Sequence, residues 1–306
     1  MSILGFLHGT GETGFGYDST ADDVTDGLDL SGQTILVTGC NSGLGWETMR
    51  ALCARGARVL GTARTIEKAT TACNQAPGEA LPVACDLSEP ASVRAVVAIV
   101  QQRGHPLDAI IANAGIMALP KLERQYGYEL QFFTNHVGHH LLVTGLLDQL
   151  ADTGRVVMLS SGLHTAAPPE GIQFDNLSGE KGYAPWTAYG QSKLANLLFA
   201  KHLASRLPKP GQTANAVHPG VIRTNLQRRL GPGMRAVFAA VGPLFLKSIS
   251  QGAATQCYVA VHPAAASVRG EYFADCNLAQ PSRNGQDAGL AAKLWEKTED
   301  IIAGLH

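Results

Sequence analysis

A strand, a glycine-rich turn and a helix follow one another directly near the start of this chain. The apolar run at residues 33–38 indicates a buried strand, and a helical pattern follows the turn as far as Gly56. Between them, Gly39, Gly43 and Gly45 have the spacing G-x-x-x-G-x-G. Glycines let a backbone approach phosphate groups, and a helix N-terminus supplies free N–H donors and a positive dipole. The unit therefore predicts a binding site for the pyrophosphate of a dinucleotide.

The rest of the chain alternates strands and helices. Predicted strands lie at 33–38, 57–62, 81–85, 108–112, 154–160, 213–217 and 271–274. Predicted helices lie at 44–55, 65–74, 89–103, 121–149, 188–206, 250–262 and 287–303. This alternation predicts an α/β fold, with a doubly wound parallel sheet that carries helices on both faces. We expect a single domain at 31–306 after a polar extension at 1–30, in which a capping box at Thr20 starts one short helix.

Composition excludes several other classes of protein. The 306 residues carry a formal net charge of −1, which predicts no binding to nucleic acid. Six cysteines without a C-x-x-C pair indicate reduced thiols of a cytoplasmic protein, and neither a disulfide framework nor a metal site. The longest late apolar run, 236–246, is broken by Gly242 and Pro243, so we expect no transmembrane segment.

Tyr189 and Lys193 are the strongest catalytic candidates. A spacing of four puts both side chains on one face of a helix. An ammonium beside a phenol favours the phenolate, so the spacing predicts a lowered pKa for Tyr189 and a role as general acid or base. Taken alone, the same spacing also fits an ordinary helix start with an exposed lysine. Upstream, the predicted fifth strand ends in Ser160 and Ser161, at the sheet edge where α/β proteins bind ligands.

Five motifs in register resemble those of the short-chain dehydrogenase/reductase superfamily. They are Thr38-Gly39-x-x-x-Gly43-x-Gly45, Asn113-Ala114-Gly115, Ser160-Ser161, Tyr189-x-x-x-Lys193 and Pro219-Gly220, and they extend over about residues 31–280. Finer features resemble the retinol dehydrogenase-like branch: Asp29-Leu30-Ser31-Gly32, Asn135-His136-x-Gly138-His139, Gly179-Glu180-Lys181 and Ser192-Lys193-Leu194-Ala195-Asn196. One departure is Ala112, which stands where the family pattern has a first asparagine. The resemblance implies a Rossmann fold.

The resemblance also implies roles for four catalytic residues. Ser161 would donate a hydrogen bond to a substrate carbonyl, with Ser160 as the alternative. Tyr189 would donate its proton during reduction or remove the alcohol proton during oxidation. Lys193 would lower the pKa of Tyr189 and hold the nicotinamide ribose, and Asn135 would position a water for proton relay.

The cofactor site implied by the family match extends along the whole sheet edge. An arginine at the end of the second strand accepts a 2′-phosphate, whereas NAD-specific sites have an acidic residue there. Here Ala63 and Arg64 occupy that position, so NADP(H) is preferred and NAD(H) remains possible; stacking of Arg64 on adenine is the alternative. The cofactor residues are Gly39, Asn41, Ser42, Gly43, Leu44, Gly45, Arg64, Asp86, Leu87, Asn113, Ala114, Gly115, Tyr189, Lys193, Pro219, Gly220 and Thr224.

Residues 225–250 are expected to form an apolar lid over the substrate, which indicates a lipophilic ketone or aldehyde or its alcohol. A homo-oligomer interface or a core helix is the alternative for this segment. The overall prediction is an NADP(H)-dependent oxidoreductase; the rival is a non-catalytic NADP(H)-binding protein that senses redox state. His136, His139 and His140 lie close in sequence, but no carboxylate joins them, so no metal is expected. Trp46, Trp186 and Trp295 are expected to be packing residues.

Overall fold

A computed structural model describes residues 9–222 and 246–305. Its centre is an eight-stranded sheet in the order β10-β9-β8-β7-β4-β1-β2-β3, in which all pairings are parallel except that of β10 with β9. The strands of the sheet are β1 Thr34–Val37, β2 Arg58–Ala63, β3 Ala80–Ala84, β4 Leu107–Ala112, β7 Leu150–Leu159, β8 Thr213–His218, β9 Tyr272–Ala274 and β10 Asn277–Leu278. A separate hairpin pairs β5 Arg124–Gln125 with β6 Tyr128–Glu129. The predicted fold class is confirmed.

Helices cover both faces of this sheet. They are α1 Ala21–Thr25, α2 Gly43–Ala54, α3 Ile66–Cys73, α4 Pro90–Arg103, α5 Leu130–Phe132, α6 Gly138–Gly145, α7 Pro185–Arg206, α8 Ile249–Val261, α9 Arg283–Gln286 and α10 Ala288–Ala303, and a π-helical turn Phe133–Val137 joins α5 to α6. One buried cluster packs α2 and α8 on the sheet, and a second packs α4, α6 and α7 on the opposite face. Both layers are apolar, as the burial of a two-faced parallel sheet requires.

The helix predicted at 121–149 is wrong at both ends. Tyr126 and Gly127 have φ of 52° and 86°, which is the left-handed geometry of a tight hairpin turn, so the chain forms β5 and β6 first. The helix then begins at Leu130, where the Glu129 carboxylate accepts hydrogen bonds from the amides of Gln131 and Phe132. The α-helix ends at Gly145, four residues short of the prediction.

The N-terminal segment packs against the body of the fold. The capping box at Thr20 starts α1 as predicted, and α1 buries Ala21 and Val24 against α2 and α8. Further upstream, the Asn277 side chain binds Thr13 and the Phe15 carbonyl. The division into a 1–30 extension and a 31–306 domain stays a prediction. Residues 9–30, the described part of the extension, pack against the rest of the described structure.

Parallel strands bring their carboxyl ends to one edge, which places the candidate site. Gly39, Arg64, Asn113, Ser161 and Pro219 each follow a different strand of the parallel set, and all five meet at this edge. A cleft at such an edge is the usual ligand site of doubly wound proteins.

Candidate active site

The glycine turn after β1 leaves the N-terminus of α2 open. Gly39 and Gly43 have φ of 76° and 60°, a conformation that side chains disfavour. Gly45 packs so closely on this turn that a Cβ atom there would lie 2.2 Å from the Gly39 carbonyl oxygen. The N-cap residue Ser42 makes no side-chain hydrogen bond to the helix. The first amides of α2 are therefore free to bind an anion.

Thr38 and Asn113 hold this turn against the end of β4. The Thr38 hydroxyl accepts hydrogen bonds from the amides of Asn113 and Ala114, each 2.9 Å long. In return, Asn113 Nδ2 donates to the Thr38 carbonyl at 2.8 Å, and its Oδ1 accepts from Gln256 of α8. Sequence reasoning named Asn113 and missed Gln256, because no local pattern connects α8 with β4.

Tyr189 and Lys193 lie on the inner face of α7, beneath the end of β7. Lys193 Nζ lies 5.8 Å from the centre of the Tyr189 ring and donates to the Leu159 carbonyl at 2.9 Å. The Ser161 side chain lies close enough to Tyr189 to lower the pKa of the phenol, and its Oγ accepts from the Leu163 amide at 3.1 Å. The Ser160 hydroxyl instead donates to the Lys193 carbonyl at 2.7 Å. Of the two serines, Ser161 is therefore the one beside the phenol.

Burial sets the protonation of this pair. It raises the pKa of Tyr189 to about 12, with the Ser161 side chain acting in the opposite direction. It lowers the pKa of Lys193 to about 8, because a buried ammonium loses its hydration. The predicted lowering of the tyrosine pKa by the lysine is thus absent, since desolvation of the phenolate dominates. At neutral pH, the phenol keeps its proton and can serve as a donor.

Asn135 lies in the π-helical turn Phe133–Val137 and is fully buried. Its amide group donates to the Ile116 carbonyl and to Ser192 Oγ, both at 2.9 Å, while its Oδ1 accepts from the Ile116 amide at 2.8 Å. Asn135 therefore connects α7 to the loop after β4. A Cβ atom on Gly115 in that loop would lie 3.0 Å from Asn135 Oδ1 and 3.5 Å from Lys193 Nζ, so a larger residue there would crowd Asn135.

The three clustered histidines have structural roles. His139 bridges the Asn135 carbonyl and the Thr38 hydroxyl, at 2.9 Å each, and burial lowers its pKa to about 4. His136 binds Thr298, and His140 pairs with Glu299 of α10. Within 9–222 and 246–305, the structure contains no group of three or more His, Cys, Asp or Glu side chains that could hold a metal.

A cleft of about 650 Å³ runs along the sheet edge and collects most of the predicted residues. Those that line it are Gly39, Asn41, Ser42, Leu44, Gly45, Arg64, Asp86, Leu87, Asn113, Ala114, Gly115, Ser161, Tyr189, Lys193, Pro219 and Gly220. Gly43 and Asn135 are not among the lining residues. Thr224 and most of the predicted lid lie outside the described residues.

Several cleft residues were not expected from the sequence. The most exposed aromatic among them is Trp186, which is 46% exposed one turn before Tyr189, with ring centres 6.5 Å apart. Its expected role in packing is therefore wrong, whereas Trp295 does pack, stacked on Phe199. Leu163, Met117 and Val221 also line the cleft.

All six cysteines are free and buried, in agreement with reduced thiols. Across the described part of the chain, no helix has the length and apolar character to cross a membrane.

Comparison with known proteins identifies the family. Residues 33–235 match the family model for short chain dehydrogenase, and the chain belongs to this family. It is 42% identical over 320 residues to "Short-chain dehydrogenase TIC 32 A, chloroplastic" from Brassica napus, with 100% of both chains covered. It is 36% identical over 298 residues to retinol dehydrogenase 14 from Homo sapiens, covering 90% of this chain and 88% of that one.

Solved structures agree with this assignment. A crystal structure of an uncharacterized protein from Mycobacterium Paratuberculosis has a TM-score of 0.76 at 32% identity, covering 92% of this chain and 97% of the other. A blue fluorescent protein from a metagenomic library, solved in complex with NADPH, has a TM-score of 0.65 at 26% identity, covering 81% and 97%. The retinol dehydrogenase-like relatives and the fold therefore match the resemblance seen in the sequence.

Proposed function

We propose that this protein is an NADP(H)-dependent oxidoreductase that interconverts a lipophilic ketone or aldehyde and the corresponding alcohol. The observation that carries the proposal is the meeting of Ser161, Tyr189 and Lys193 in the same cleft as the open glycine turn. A dinucleotide bound along this edge would have its pyrophosphate at the turn and its reactive ring beside the tyrosine.

The residues at the glycine turn suit a dinucleotide. The free amides of α2 face the cleft, the close packing at Gly45 keeps the turn tight, and Gly115 leaves space beside Lys193. When bound, the nicotinamide ring supplies or accepts the hydride. The chain's own contribution is to hold that ring and to move the proton.

Arg64 supports the choice of NADP(H). It follows β2, lines the cleft and is exposed, and no hydrogen bond or ion pair engages it within 9–222 and 246–305. No carboxylate precedes it, since β2 ends at Ala63. A guanidinium is suited to bidentate binding of the 2′-phosphate. A structural neighbour that contains NADPH is in accord with this choice.

Proton transfer is assigned to Tyr189. A phenol with a pKa raised to about 12 retains its proton at neutral pH and can donate it to the carbonyl oxygen during reduction. Ser161 donates a second hydrogen bond to that oxygen and stabilises the charge that develops there. Lys193, which is charged below about pH 8, would hold the nicotinamide ribose through its ammonium.

The lining around Tyr189 favours a lipophilic substrate. Trp186, Leu163 and Val221 line the cleft and are 46%, 39% and 61% exposed. Exposed apolar side chains that converge on a reactive group are typical of a site that buries an apolar ligand. Relatives named as retinol dehydrogenases point to the same class. A cytoplasmic location and a homo-oligomeric state stay predictions.

A panel of ketones and aldehydes of increasing size, scored by NADPH consumption, tests the proposal. We expect turnover that rises with apolar size, and kcat/KM higher with NADPH than with NADH. The rival function, a non-catalytic redox sensor, predicts NADPH binding without turnover of any member of the panel. A clear preference for small polar carbonyls such as sugars would refute the lipophilic site.

A further inference from the structure

Lys247 is a buried cation outside the catalytic group. Its side chain is only 1% exposed, and its Nζ lies 2.5 Å from Asp275 Oδ1. The same ammonium lies 4.8 Å from the centre of the Tyr17 ring, in a cation–π contact. Removing an ammonium from water is costly, and pairing it with the Asp275 carboxylate, which is one third exposed, offsets only part of that cost. Stability alone therefore does not explain why a lysine is buried at this position.

The lysine supports one wall of the cleft. Its backbone amide donates to the Val221 carbonyl at 2.9 Å, and Lys247 forms a parallel bridge with Ile222. Its aliphatic stem packs beneath Gly220, whose φ is 85°, and a Cβ atom on that glycine would lie 2.6 Å from Lys247 Cδ. Gly220, Val221 and Ile222 all line the cleft. The position of this wall thus depends on where the lysine side chain is held.

Two distant parts of the chain hold that side chain. Asp275 lies in the turn between β9 and β10 with φ of 51°. Tyr17 belongs to the N-terminal segment, which is fixed nearby because Gln251 at the start of α8 donates to the Asp18 carbonyl and Asn277 donates to the Phe15 carbonyl. The N-terminal segment is thereby attached to the same unit as the cleft wall.

We propose that Lys247 is a positioning residue for the nicotinamide end of the cleft, and that Asp275 and the ring of Tyr17 hold it there. This inference rests on the proposed function, since the loop 219–222 is taken to contact the nicotinamide. It gives the N-terminal segment a role in the active site, because Tyr17 covers the ammonium. The glycine turn and Arg64, which would bind the other end of the cofactor, follow β1 and β2, and β7 and β4 separate these strands from β8 in the sheet.

The test separates the two ends of the cofactor. Lys247→Met keeps most of the stem and removes the charge, Lys247→Arg restores a cation, and Lys293→Met is the matched control. Lys293 also lies over an aromatic ring, that of Phe174, at 4.4 Å, and it does not line the cleft. For each variant, calorimetry gives the Kd of adenosine 2′,5′-bisphosphate and of NADPH, and steady-state kinetics gives kcat.

For Lys247→Met we expect the Kd of adenosine 2′,5′-bisphosphate to stay within about twofold, because the probe has no nicotinamide. The Kd of NADPH should rise and kcat should fall, each by about tenfold or more, since a displacement of about 1 Å at the reacting centre can cost 10²-fold. Lys247→Arg should recover part of both losses. Lys293→Met should match the wild type in all three quantities.

A second pair of variants tests the N-terminal segment. Tyr17→Phe keeps the ring and should therefore retain the cation–π contact with Lys247. Tyr17→Leu removes the cation–π contact and should reproduce the Lys247→Met pattern at about threefold. If Lys247→Met does not fold, the same two Kd values and kcat are measured for Asp275→Asn and Tyr17→Leu instead.

The outcomes are distinguishable. If Lys247→Met weakens the binding of adenosine 2′,5′-bisphosphate and of NADPH equally, lowers the melting temperature and is not rescued by Lys247→Arg, the lysine has only a structural role. That result overturns the inference. Unchanged NADPH binding and kcat in both Lys247→Met and Tyr17→Leu also overturn it. If the wild-type protein binds neither NADPH nor adenosine 2′,5′-bisphosphate, the proposed function itself fails.

Discussion

Arg64→Asp tests the cofactor preference through a single exposed side chain. The guanidinium has no partner within residues 9–222 and 246–305, so its replacement breaks no internal contact there and its effect falls on the ligand. A hydrogen bond to a charged group contributes about 1.5–3 kcal/mol. The introduced carboxylate adds repulsion of about 1 kcal/mol at 4 Å in water. Together these give about 3 kcal/mol, or roughly a 10²-fold loss for NADPH.

The assay is kcat/KM for NADPH and NADH with one working carbonyl substrate. NADH lacks the 2′-phosphate, so its kcat/KM should change little and the preference should shift toward it. Arg103→Asp makes the same charge change at the opposite edge of the sheet, among residues that line a different cavity, and should leave both values unaltered. The reasoning is refuted if the wild type prefers NADH, or if Arg64→Asp lowers both values equally.

Two further predictions concern the substrate and the proton. Trp186→Ala should lower kcat/KM for bulky apolar carbonyls by about tenfold or more while sparing acetone-sized ones, because an exposed indole buries a large area on binding; equal losses for both sizes would argue against a substrate contact. The pH profile of kcat/KM for reduction should fall as pH rises through about 8, because the ammonium of Lys193 that would hold the nicotinamide ribose loses its charge there, while Tyr189 keeps its proton. A profile that stays flat to pH 10 would contradict this role of Lys193.

Local patterns were sufficient for the fold and for most of the cleft. The glycine turn, the alternating elements and the strand ends each depend on short stretches of chain, and parallel pairing then brings them to one edge. The same kind of pattern failed at 121–149, where the helical prediction ran through Tyr126 and Gly127. The tight turn there depends on two left-handed residues, and only Gly127 marks it in the sequence.

Properties set by long-range packing could not be predicted. Trp186 was expected to pack, but it faces the cleft, because its exposure depends on which face of α7 meets the sheet. The pKa of Tyr189 moves upward, against expectation, because burial of the phenol raises it more than Ser161 lowers it. Lys247, Asp275 and Tyr17 come together from three distant segments, and no sequence motif connects them.

The central claim is that Tyr189 transfers the proton in a reaction with NADP(H). Its most direct test is Tyr189→Phe, with kcat on a working carbonyl and the Kd of NADPH measured on the same preparation. We expect a loss of kcat beyond the factor of about 10²–10⁴ typical of a general acid, because the phenol also orients the carbonyl. NADPH binding should remain nearly intact, since the phosphates would bind at residues 39–45. A near-normal kcat in the phenylalanine variant would contradict the account.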